Sequence, residues 1–102
     1  MNSDFVRRAD WAEVIRRFEA FFEGLGDVTV NDDVAAFDGP PTVGTGLALQ
    51  RDGTSTSFMP LHGLEARWER ARFDAAAGEV ILEGTGMTYT YRVPPALRRR
   101  NE

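Results

Sequence analysis

One histidine, His62, and no cysteine in 102 residues leave few ways to relay a proton or hold a soft metal. An imidazole that titrates near neutrality can act as a general base or a pH switch. Ser55 and Ser57 precede it and carboxylates are abundant, so a Ser-His-Asp set can be composed from residue types alone. The local pattern speaks against it. The stretch "GTSTSF" at 53–58 reads as an alternating strand, whereas such a nucleophile sits on a strained strand-to-helix turn within Gly-x-Ser-x-Gly, which is absent. His62, in "FMPLHGLE", reads as a solvated loop residue, no catalytic residue is assigned, and an enzyme is the less favoured class.

Metal chemistry is equally short of ligands. A catalytic site needs about three protein ligands, and here they would be mostly carboxylates, suited to magnesium or calcium. The acidic group Asp27, Asn31, Asp32 and Asp33 lacks the Asp-x-Asp-x-Asp-Gly spacing of a calcium loop, and hairpin turns select the same residues for backbone reasons. Glu65 with Glu69, and Glu79 with Glu83, read as surface charges. All twelve basic residues are arginine, which excludes the lysine of a phosphate-binding loop, a Schiff-base lysine and a lysine nucleophile. No cofactor and no metal is expected.

Aromatic residues offer a third possibility. Trp68, Phe73, Tyr89 and Tyr91 can line a pocket on a concave sheet, the phenol hydroxyls fixing a polar ligand atom. The same groups can instead fill the space beneath a helix. His62, Trp68, Tyr89 and Tyr91 are therefore the ligand-binding candidates. The glycine-rich "FDGPPTVGTG", residues 37–46, is not a phosphate cradle: "LALQ" after it reads as a strand, and the third glycine is missing. It reads as a connection. Arg7-Arg8 and Arg98-Arg99-Arg100 are short basic runs on a chain of net charge −4, too little to make nucleic acid an expected partner.

The elements that must position these residues begin with a helix from Trp11 to Glu23. Trp11, Val14, Ile15, Phe18, Phe21 and Phe22 share one face, Asp10 and Glu13 resemble a capping box, and Gly24-Leu25-Gly26 supplies the stop. Strands then follow in hairpins. "DVTV" and "VAAF" flank Asn31-Asp32-Asp33, so residues 28–37 form one hairpin; "TGLALQ" and "TSTSFM" flank Arg51-Asp52-Gly53 and form another. "GEVILEG" and "GMTYTYRV" give two more strands, the last ended by Pro94-Pro95. The segment 64–74 carries both a helical stripe and strand cues; strand is preferred, because 74–78 reads as a loop that pairs it with "EVILEG".

The expected fold is α+β: an N-terminal amphipathic helix packed on a curved antiparallel sheet of about six strands, a helix and then a meander of hairpins. Residues 1–102 read as a single domain, with 1–9 and 96–102 as its flexible ends and "DFVRRA" as a candidate edge strand. In layout alone this resembles the cystatin-like and hot-dog arrangements; no motif accompanies the likeness and it implies no activity. A 13-residue helix, roughly 20 Å long and 10 Å across, cannot cover six strands spanning roughly 24–29 Å. The bare remainder predicts a homodimer. With no apolar run of about 18 residues and no basic-then-apolar leader, a cytoplasmic location without membrane contact is expected. The expected function is a non-enzymatic binding or protein-interaction module that self-associates. The alternative is a small-molecule pocket or minimal hydrolase between helix and sheet, using His62, Tyr89 and Tyr91.

Overall fold

The computed structural model describes residues 5–40, 42–59 and 62–98. A two-residue strand, β1 (Val6–Arg7), leads into helix α1 (Trp11–Phe22). Trp11, Val14, Phe18 and Phe22 are its buried residues, three or four positions apart and so on one face. The expected capping box does not form. Asp10 makes no side-chain cap, and the Glu13 carboxylate turns instead to Arg16 Nε at 2.9 Å and Arg17 Nε at 2.7 Å. Those two guanidinium groups hold the Glu13 carboxyl at about 2, well below the usual carboxylate range.

Strands β2 (Asp27–Val30), β3 (Val34–Asp38), β4 (Gly46–Gln50), β5 (Thr54–Met59) and β6 (His62–Arg67) pair in order as a five-stranded antiparallel meander. Both expected turns are present. Asn31 Oδ1 accepts from the amides of Asp33 and Val34, and Gly53 turns β4 into β5 at φ +105°. A second antiparallel sheet is ordered β1-β7-β8-β9, with β7 (Arg70–Asp74), β8 (Glu79–Gly84) and β9 (Met87–Arg92). A short helix, α2 (Pro95–Arg98), follows.

One curved sheet of about six strands is thus replaced by two sheets. The segment 64–74 is extended as expected, but the chain leaves one sheet for the other at Trp68 and Glu69. Two neighbouring amides mark the change: Trp68 N–H donates to Gly53 C=O at 2.9 Å, at the turn closing the five-stranded sheet, and Glu69 N–H to Glu83 C=O on β8 at 2.7 Å. Period-2 alternation reports that a segment is extended and cannot report which neighbour it pairs with.

The inner faces meet. Phe37 and Leu47 share one rung, Ala35 and Leu49 another, and across from them stand Val6, Ala71 and Leu82 with Val80 and Tyr91, all in one buried cluster. Helix α1 packs on β1, β2, β3 and β7 and closes one side of the space between the sheets. Phe22 stacks on Phe37 at 4.2 Å and lies 6.1 Å from Tyr91, while Trp11 lies 6.4 Å from Trp68. An apolar inner face left bare would call for a second copy of the chain; here the second sheet covers it. Val6 and Leu97, in stretches expected to be loose, are both buried.

Candidate functional site

Of the ligand candidates, Trp68 lies apart from Tyr89 and Tyr91. Trp68 is 1% exposed, its indole Nε1–H donating to Gln50 C=O at 3.1 Å, beside Trp11 at the start of α1. Tyr91 is buried against Phe22 at the far end of that helix, its hydroxyl sharing a 2.6 Å hydrogen bond with Thr45 Oγ1. Trp11 and Phe22 are the first and last of the twelve residues of α1, roughly 16 Å apart along the axis. Tyr89, half-buried on the same face of β9 as Tyr91, accepts a 2.8 Å hydrogen bond from Ser57 Oγ. His62 opens β6 opposite Met59; its side chain lies outside the described residues. The Arg98–Arg100 run lies largely outside them too.

Ser55 and Ser57 stand on the inner face of β5, 2% and 7% exposed, where a two-layer core would ordinarily take apolar groups. Ser57 meets Tyr89 across the sheets and Thr45 meets Tyr91, so these hydroxyls fasten the layers together. Burial pushes the Tyr91 phenol above its ordinary pKa, against the lowering effect of the Thr45 bond. Among the described residues, every buried side-chain nitrogen or oxygen has a hydrogen-bond partner. Those buried hydroxyls are thus satisfied within the chain.

One face carries matched charge. On the outer face of the four-stranded sheet Arg70 lies 2.6 Å from Glu83 and Arg92 2.7 Å from Glu79, each pair facing across a strand boundary. The end of the molecule at the C-terminus of α1 differs. Asp27 and Asp38 stand opposite each other on the first rung of the β2–β3 ladder, and Glu19 and Glu23 project from the last two turns of the helix beside them. None of these four carboxylates has an ion-pair partner among the described residues.

The backbone brings them close. A Cβ added to Gly26 would lie 2.4 Å from Asp38 O and 2.9 Å from the Phe37 ring, so only glycine lets the chain enter β2 this tightly against β3. Two open clefts flank the turn. One, of about 370 Å³, is lined by Glu19, Ala20, Glu23 and Val28; the other, of about 380 Å³, by Leu25, Asp27, Asp38, Gly39 and Pro40. The glycine-rich loop therefore connects β3 to β4 and forms one wall of the second cleft, with Gly39 N–H bonded to Thr45 C=O at 2.9 Å.

Like charges directly opposite on a ladder destabilise it, as do carboxylates at a helix C-terminus, and the last turn of α1 has no basic residue to offset them. The hairpin 28–37 already implies that residue 27 faces residue 38; that Glu19 and Glu23 join them depends on the path of the helix, which no local pattern gives. Among the described residues no group of three or more His, Asp and Glu is placed to hold a metal ion, and no helix is long and apolar enough to cross a membrane. A scan of protein-family models, a search of curated proteins and a search of solved structures each return no match.

Proposed function

We propose that the protein is a non-enzymatic interaction module that holds a basic polypeptide segment at the end of the molecule bearing Glu19, Glu23, Asp27 and Asp38. The observation that carries this reading is the set of four carboxylates without ion-pair partners among the described residues, around two adjoining clefts that share Gly24 and Gly26. Opposed to a basic partner, charges that strain the free protein become favourable, speeding encounter and fixing register. Calorimetric titration with an arginine-rich peptide tests it. The variant E19Q/E23Q/D27N/D38N is expected to lose at least tenfold in affinity, while D10N/D32N/D33N/E69Q, of the same net charge, retains most of it. Equal losses in the two variants would reduce the effect to net charge and remove the proposal.

Self-association is the second reading, on a narrower footing than an uncovered core. Thr29, Ala36, Ala48 and Thr56 align across four strands on the outer face of the five-stranded sheet, a flat neutral strip beside the charged faces elsewhere. A second copy would meet the first there. Light scattering that gives a monomer mass at micromolar concentration rules it out.

A further inference from the structure

At the opposite end of α1, two guanidinium groups converge on the β4–β5 turn. Arg8 donates from Nε to Trp68 C=O at 3.2 Å and from Nη1 to Arg51 C=O at 2.9 Å; Arg67 donates from Nη2 to Asp52 C=O at 3.1 Å. A Cβ built on Gly53 would lie 3.3 Å from Arg67 Cζ and 3.4 Å from Arg8 Cζ, so both like charges stand beside one point. Neither is in an ion pair among the described residues.

Backbone carbonyls fix the two groups while leaving further N–H donors of each unassigned, since a guanidinium carries five. Asp52 is the nearest acid, yet its Oδ1 turns back to accept from Thr54 N–H at 2.9 Å. Arg51 leans away, its Nη1 3.4 Å from Asp32 C=O.

The geometry points to a binding site for a phosphate-type oxyanion that bridges Arg8 and Arg67 at the β4–β5 turn. A tetrahedral anion bonded to both groups would place its centre roughly 4 Å from each guanidinium carbon. It directs oxygens toward two donors that approach from different sides, whereas a single planar carboxylate is satisfied by one arginine fork. Glycine at position 53 lets the two guanidinium groups pack this close to the turn, because any side chain there meets Arg67 Nη2 at 2.6 Å.

Inorganic phosphate, titrated into the full chain at constant ionic strength, tests the site, with acetate as the planar comparison. The Nε–H resonances of Arg8 and Arg67 and the Gly53 amide are expected to shift together and saturate at about millimolar phosphate, the strength of a few charge-assisted hydrogen bonds. R67Q, on an exposed residue, loses the saturable response. D52N keeps an acceptor for Thr54 but removes the competing charge, and it tightens binding by about threefold, the scale of one unit charge acting through water over several ångströms. The D52N arm stands even if R67Q does not fold. Shifts that drift without saturating and extend equally to Arg16 or Arg72 mean an adventitious ion only and overturn the proposal; so does D52N binding no tighter than the parent, or acetate binding as tightly as phosphate.

Discussion

Single residues set the conditions that the rest of the molecule obeys. Gly53 adopts φ +105°, a conformation that costs an L-residue about 1–3 kcal/mol. G53A is expected to lower the unfolding free energy by that amount, seen as a lower urea midpoint with an unchanged m-value, even though the nearby Arg67 head can swing clear. Glu13 carries a pH signature. Its carboxyl, ordinarily at 4.5, is held at about 2 by Arg16 and Arg17, so between those values the unfolded chain binds more protons than the folded one. Stability from this pair is complete above about pH 4.5 and lost as the pH falls through about 2. Urea unfolding of the parent and E13Q should differ at neutral pH and converge toward pH 2. The raised Tyr91 phenol has the opposite sign: its contribution is present at neutral pH and lost as alkali ionises it, so absorbance titration of the parent against Y91F should assign to Tyr91 a phenol that ionises above its ordinary value.

At the scale of elements, the helix and its turns were legible because their signals are local. The aromatic face of α1, the Asn31–Asp33 turn and the Asp-Gly turn each occupy a window of a few residues. The crossing at Trp68 was not: the alternation in "EARWERAR" slips by one residue at Glu69-Arg70, but the partners that divide the segment, β5 before it and β8 after it, are distant in sequence. The separation of Trp68 from Tyr91 was illegible for the same reason: as residue types both can line a concave sheet, and only the path of α1 puts them against its opposite ends. The acidic end was half legible, through the register of β2 on β3. That register makes its own prediction. Neutralising one of two facing carboxylates relieves a repulsion of about 0.2–1 kcal/mol, so D38N should stabilise the fold while weakening capture of a basic peptide. A surface that is more stable without its charge is one whose charge serves something other than folding.

For the whole molecule, the consequence of two sheets is that the chain covers its own core. Phe22 touches both layers through Phe37 and Tyr91, and F22A should cost about 3–5 kcal/mol, a large part of the margin of a domain this size. The interior is closed by aromatic rings and paired hydroxyls, and on the outside the two ends of α1 differ: at its C-terminus, carboxylates without ion-pair partners among the described residues; at its N-terminus, carbonyl-held arginines. The most direct measurement of the central claim is an amide chemical-shift map of the isotopically labelled protein with an arginine-rich peptide. Shifts concentrated in residues 19–28 and 37–40, reversed by added salt, are the predicted result. Shifts centred on Asp32, Asp33 and Asp52, or spread evenly over every surface acid, would contradict it.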